Sequence, residues 1–406
     1  MNIIYLHQYF KFPNESGGTR SYDLAHGFLK LGHKVQIVTS TSDPEFKTKD
    51  RWSKFEKDGL VIHYIFIPYA NEMSYLHRSI VFLKFLWFSI LKILSIKGDL
   101  VLATSTPLTI GIPALFKKWI QKTPFIFETR DVWPEAVIAI GAINNTIIKK
   151  VLYFLEGLIY KNASAIVPLS VDMKRSIVTR YPKLDNKPIE VIENISEIDR
   201  FQKGYDKNIS VLSKKIGFKP KFTVLYAGTF GKVNGINYVI KLAQKLININ
   251  PEIIFVLVGD GSEKELVIQE ASHKKILNKN VYILDSVSKS DLSQLYFECD
   301  MGSSFVINIQ ELWANSANKY FDTLASGKPI LINHEGWQKV EINRDNIGYV
   351  LPAEIKDNDV RRFSNYCKNT LLITKQGENA LNIAKSKYAT DIAVRKYNKL
   401  FKNKNV

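Results

Sequence analysis

The chain has 406 residues, 46% hydrophobic and 23% charged, which excludes a disordered or fibrous protein and allows two domains of about 100–200 residues each. Its two cysteines, Cys299 and Cys367, stand far apart with no CxxC or Cys/His spacing; this argues against a disulfide framework or zinc site and fits a reducing compartment. Lysine and arginine outnumber aspartate and glutamate by 56 to 39, a net +17, so the surface either attracts polyanions (nucleic acid, anionic lipid, a phosphorylated substrate) or is a solvated lysine-rich exterior.

The opening MNIIYLHQYF has no basic leader and no small-residue cleavage site, and reads as a buried strand over 2–6 rather than a signal peptide. A loop with Gly17 and Gly18 follows, then a helical pattern over 19–31 closed by Gly32, then a strand VQIVTS at 35–40. Strand, glycine loop, helix and strand in that order make a βαβ unit with parallel strands. Apolar runs recur at 60–67, 99–104, 124–129 and 165–170, rich in Ile and Val as strands covered on both faces require.

The segment RSIVFLKFLWFSILKILSIK (78–97) is the most hydrophobic of the chain, but Lys84 and Lys92 fall on nearly one helical face. Charges at a bilayer centre are costly, so this is no membrane span. It is a core helix, or an amphipathic helix lying on a membrane surface with Phe85, Trp87 and Phe88 available for contact.

After residue 200 the pattern restarts with FTVLYAG (222–228), a glycine loop, a helix near 235–247, and strands at 253–259, 281–285, 301–307 and 328–333. The fold class predicted is α/β, with two Rossmann-like parallel-sheet domains, 1–200 and 201–385, joined through the irregular segment 181–201.

Four segments carry chemistry. The glycine pair Gly17–Gly18 opens a helix after the first strand, where backbone N–H groups can approach a phosphate; it is otherwise a turn. YAGTFGKVNGINYVI (226–240) opens the second half in the same way, with Gly228, Gly231 and Lys232, and is neither a Walker A loop nor a GxGxxG fingerprint. In ANSANKYFDTLASGKPILIN (314–333), Lys319 near a helix start suits a diphosphate, and Asp322 one turn on offers two acceptors to a ribose diol. The same residues also fit a surface i, i+3 ion pair. FETRDVWPEAV (127–137) places Arg130, Asp131 and Glu135 after a buried strand, as ligand contacts or as a helix start capped by Asp131.

Together these places resemble the family-4 glycosyltransferases of the GT-B fold, and within them the L-fucosamine-transferase-like branch of bacterial polysaccharide enzymes. The matching residues are GGTRSYDLAHGFLKLGHKVQIVTS (17–40), RDVWPE (130–135), VIENISEIDRF (191–201), YAGTFGKVNG (226–235), VGDGSEK (258–264) and SANKYFDTLASGKP (316–329). The resemblance implies an acceptor in the first half and a nucleotide sugar in the second, with a final helix over 386–406 crossing back to the first domain. Gly17 and Gly18 would meet the donor diphosphate, Lys319 would be the donor-site lysine and Lys232 a second cation. Arg130, Gly228, Thr229, Val287, Ser316, Asn318 and Asp322 would complete the donor contacts, and Asp131 and Glu135 would orient the acceptor or relay its proton.

The activity implied is retaining, metal-independent transfer of an N-acetylated or deoxy sugar from a UDP-linked donor, with no cofactor. The acceptor implied is a glycan on polyprenyl diphosphate, in capsule or O-antigen synthesis at the cytoplasmic face of the inner membrane. The chain departs from the family's E-x7-E pattern: its first glutamate falls at Ala314 and its second is Asp322, while the usual Arg and Lys pair is replaced around Thr229 and Asn234. The competing readings are a UDP-sugar epimerase of the same architecture and a catalytically inactive homologue binding nucleotide sugar or lipid. No basic-aromatic stripe or motif points to nucleic acid.

Overall fold

A computed structural model describes residues 1–68, 75–105, 107–184 and 186–403, the side chains of 75–79 excepted. Among the described residues the strands of the first half are β1 (Asn2–Leu6), β2 (Lys34–Thr41), β3 (Trp52–Lys57), β4 (Leu60–Phe66), β5 (Leu100–Thr104), β6 (Phe125–Thr129) and β7 (Ala165–Pro168). Its helices are α1 (Arg20–Lys30), α2 (Tyr75–Ser95), α3 (Gly111–Gln121), α4 (Glu135–Ala139), α5 (Thr146–Asn162) and α6 (Val171–Arg180). After α7 (Ile198–Lys203) and α8 (Val211–Ile216) comes the second set of strands: β8 (Phe222–Ala227), β9 (Ile253–Val258), β10 (Val281–Leu284), β11 (Met301–Ser304), β12 (Ile330–Ile332) and β13 (Gly348–Val350). Its helices are α9 (Ile236–Leu246), α10 (Lys264–His273), α11 (Leu292–Glu298), α12 (Asn318–Ala325), α13 (Trp337–Asp345), α14 (Asp357–Cys367), α15 (Thr370–Ile383) and α16 (Thr390–Lys402). Residue 185 of the expected junction and 404–406 of the expected last helix lie outside the described residues.

The first sheet runs β3-β4-β2-β1-β5-β6-β7 and the second β10-β9-β8-β11-β12-β13. All neighbours are parallel except β3 against β4, so without that edge strand both sheets show the doubly wound order in which the chain reverses beside the first strand. The strands are apolar on both faces because helices cover both. In β1, Ile3 and Tyr5 enter one core and Ile4 and Leu6 the other; in β9, Phe255 and Leu257 face one side and Ile254 and Val256 the other. That alternation is the period-two geometry of a strand read twice.

Helix α16 packs on α1 of the first half: Phe28 meets the rings of Tyr397 and Phe401 at centroid distances of 5.7 and 5.1 Å. Helix α12 lies close on β11 because Gly302 has no side chain; a Cβ there would sit 2.1 Å from Thr323 Oγ1. This approach fixes the start of α12 at the mouth of the cleft between the halves.

Helix α2 shows which sequence reading of 78–97 holds where. Phe85 is buried in a core of the first half and so is not available at the surface, while Phe88 is half-buried with the Arg51 guanidinium over its ring at 4.1 Å. Trp87 is 61% exposed. Among the described residues no helix is long and apolar enough to cross a membrane.

Candidate active site

In a doubly wound sheet, ligands bind beyond the carboxyl ends of the strands where the order reverses. Here those ends belong to β1 and β8, and the loops that follow them face each other across a cavity of about 510 Å³. Ser16, Gly17 and Gly18 come from the first loop, and Gly228, Thr229 and Asn234 from the second. Val287 and Lys289, after β10, and Asn318, Lys319 and Asp322, on α12, complete the wall. Gly18 is pressed so near the second half that a Cβ would lie 2.3 Å from Asn318 Nδ2 and displace that side chain.

Lys319 and Lys289 are buried cations of the cavity, and Lys319 has no carboxylate partner among the described residues. Its Nζ donates to Asn234 Oδ1 at 3.1 Å and stands 5.0 Å from the centroid of the Tyr226 ring. Burial lowers its amine to about 8, against the opposing pull of Asp322. The helix it begins has Ala317 at its N-cap and no side-chain cap, so the first amides of α12 add positive potential at the same place.

Asp322 does not pair with Lys319. Its carboxylate holds the ammonium of Lys289, with both side chains 8% exposed. Burial raises the carboxyl of Asp322 and the charge of Lys289 opposes the rise. The surface i, i+3 pair considered from the sequence is thus replaced by a buried pair across the fold. The expected ribose contact is altered too, because one carboxylate oxygen is already engaged.

A smaller cavity of about 300 Å³ adjoins at Gly18 and Asn318 and is lined by His7, Arg130, Asp131 and Ser316. Arg130 Nη1 lies 3.4 Å from His7 Nε2, and burial together with the Arg130 charge lowers the imidazole to about 3, leaving it neutral. Arg130, Asp131 and Ser316 therefore share this groove and not the larger cavity. Asn318 spans both: its side-chain oxygen accepts from Asn194, which also donates to the Ser316 carbonyl at 3.2 Å.

Two predicted residues stand apart. Lys232 is exposed on a 3-10 turn, Lys232–Asn234, and lies outside the cavity lining, because the turn carries Asn234 inward in its place. Glu135 begins α4 and pairs with Arg180, which also holds Glu156. It lines a separate cavity of about 930 Å³ with Trp313 and Trp337. Burial raises its carboxyl against the pull of Arg180, and Glu135 does not line the groove of Asp131. Ala314, at the place of the missing glutamate, is buried with Val132, Leu169 and Met173.

Lys289 and Asn194 were not singled out by sequence reasoning, and Asn234 was named only as a place where the family's cation is replaced. Lys289 follows β10 as Arg130 follows β6, so the strand-end position was the available signal. Its loop also touches the first half: the backbone N–H groups of Lys289 and Ser290 donate to the carbonyls of Glu15 and Pro13, each at 3.0 Å. Asn194 lay within the quoted connection 191–201, and Asn234 within 226–235.

Two Rossmann-like sheets facing across such a cleft define a GT-B-fold protein. Residues 17–194 match the family model described as glycosyl transferase 4-like domain, and residues 209–382 the one described as glycosyl transferases group 1. The chain is thus a glycosyltransferase of the GT-B type. Sucrose-phosphate synthase from Thermosynechococcus elongatus superposes with a TM-score of 0.75 at 13% identity, covering 98% of each chain. HepE of Anabaena, solved in complex with UDP and glucose, gives 0.71 at 16% identity over 99% of each chain. WaaG, a glycosyltransferase involved in lipopolysaccharide biosynthesis, gives 0.69 at 14% identity over 99% of this chain and 100% of its own. No curated protein matches the sequence.

Proposed function

We propose that this glycosyltransferase moves an N-acetylated or deoxy sugar from a UDP-linked donor to a lipid-linked glycan in capsule or O-antigen synthesis, with retention and without a metal, at the cytoplasmic face of a membrane. The observation that carries the donor assignment is Lys319: a buried ammonium between two glycine loops, at a helix start, bonded to an amide and to no carboxylate. A diphosphate leaving group gains charge as the glycosidic bond breaks, and cations already held in place stabilise that state more than the bound donor. Lys319, Lys289 and the first amides of α12 supply the positive potential, and the Gly17–Gly18 backbone closes the other side.

The binding of UDP and glucose by HepE supports a UDP-sugar, and the role of WaaG supports a surface-glycan acceptor. Retention and the choice of sugar follow from the family-4 and L-fucosamine-transferase-like resemblance. The groove of His7, Arg130 and Asp131 is assigned to the acceptor. Lys319→Ala should lower the release of UDP from the preferred donor about 100-fold, with folding judged by circular dichroism. Unchanged turnover in a folded variant would remove Lys319 from the mechanism. Interconversion of a UDP-sugar without any acceptor would instead favour an epimerase.

A further inference from the structure

Helices α2, α3 and α5 lie side by side on one face of the first sheet. Lys117 and Gln121 of α3 donate to the carbonyls of Ile96 and Leu94 beyond and within α2, at 2.6 and 2.8 Å. On the other flank, Trp119 Nε1 donates to Asn162 Oδ1 of α5 at 3.3 Å. Their inner stripes fill one core, with Phe85, Leu115 and Ile159 among its members.

Their outer stripes are also apolar. Leu83 and Trp87 of α2, Ile120 of α3, and Ile147, Val151 and Phe154 of α5 are all at least half exposed, Ile147 to 72% and Phe154 to 71%. Among the described residues, these three helices carry more exposed large apolar side chains than the rest of the chain together. Scattered apolar residues need no partner, whereas a contiguous patch marks a contact surface.

Charge identifies what covers it. The exposed or half-exposed Lys84, Lys149 and Lys150 stand among these residues. The three helices contain one carboxylate, Glu156, which is fully buried and held by Arg180. An outward face of Leu, Trp, Ile and Phe interspersed with lysine and free of acids suits the boundary of an anionic phospholipid bilayer, where apolar groups enter the acyl region and ammonium groups meet phosphates. Orientation fits as well: α5 follows a parallel strand and runs back along the sheet, so its exposed first half lies at the carboxyl end of β6, the end that carries Arg130 and Asp131.

We infer that the outer face of α2, α3 and α5 is a docking surface for an anionic phospholipid bilayer. The inference rests on the lipid-linked acceptor reading for its purpose, and its test uses neither donor nor acceptor. The full chain is sedimented with vesicles of phosphatidylglycerol and phosphatidylcholine, and with phosphatidylcholine alone, at low and high salt. The wild type should partition onto the anionic vesicles and be released by salt. A quadruple variant, Leu83→Ser, Trp87→Ser, Ile147→Ser and Phe154→Ser, should bind at least about ten-fold more weakly. A control, Val340→Ser with Leu371→Ser, alters exposed apolar residues of the second half and should bind as wild type. Both variants should retain the wild-type melting temperature and UDP affinity.

Absence of wild-type binding to anionic vesicles, equal binding by the quadruple variant, or a dimer of this chain that the quadruple variant dissolves would each overturn the inference. Loss of UDP binding with vesicle binding intact would instead sink the donor assignment and leave this surface standing.

Discussion

On the proposed assignment of the cavity to the donor, Lys319 should set its behaviour with pH. Its amine, lowered by burial to about 8 in the free protein, would be raised by a diphosphate placed beside it, so binding above that pH takes up a proton. Donor affinity should be level below about pH 8 and fall by up to about ten-fold for each further pH unit. Titration calorimetry with UDP in two buffers of different ionisation heat measures both the affinity and the proton uptake. A level affinity through about pH 9.5, with no buffer dependence, would mean that the amine is not at the diphosphate. Lys319→Met should abolish the slope and leave only weak binding. Lys289 cannot replace it in full, because its ammonium is already neutralised by Asp322.

At the scale of elements, one residue quoted for the family resemblance proves to hold elements together. Arg20 opens α1 and lies fully buried against Glu128 of β6 at 3.0 Å, and it also donates to the carbonyls of Ile192 and Glu193. The Tyr397 hydroxyl of α16 bonds the same carboxylate, so one buried cluster joins α1, β6, the connection and α16. Burial alone would raise Glu128, but the charges of Arg20 and Arg130, with the hydrogen bonds from Arg20 and Thr104, together outweigh it and hold the carboxyl at about 2. A carboxyl whose folded value lies below its unfolded one contributes stability above the unfolded value, here lost as pH falls from about 4.5 towards 2. Arg20→Met should cost about 3–5 kcal/mol at neutral pH by leaving that charge unpaired. The cost should shrink on acidification, as Glu128 protonates first in the variant. Urea unfolding at several pH values checks both, and a penalty independent of pH would show that packing, not charge, dominates.

The βαβ order was legible because buried parallel strands and their helices write strong periodicities, as β1, β8 and β9 do. β3 was not, since WSKFEK is mostly exposed and pairs only as an edge; nor was β13, with its three half-buried residues. In the site, Lys319 and the glycine loops could be read because they follow strand ends within short motifs. The Lys289–Asp322 pair could not, because it joins residues 33 positions apart through the packing of α12 on β11.

For the whole molecule, the cavity proposed for the donor is shared: Gly17 and Gly18 come from one half, Lys319 and Lys289 from the other. A diphosphate bound there touches both, so its binding energy is also energy of association between the halves. UDP at 100 times its dissociation constant should stabilise the chain by about 2.7 kcal/mol, and hydrogen exchange should slow in the loop 13–19 as well as in 228–235 and the start of α12. UMP, one phosphate shorter, should protect the second half and leave 13–19 little changed. Gly18→Ala should weaken the protection of 13–19 by UDP, since the added methyl would lie 2.3 Å from Asn318 Nδ2 and displace that side chain in the cavity wall. Equal protection of 13–19 by UMP and UDP would mean that the second phosphate makes no bridge. Protection confined to the second half with UDP would mean that the first half contributes no donor contact, and that Gly17 and Gly18 serve only the packing of the loop.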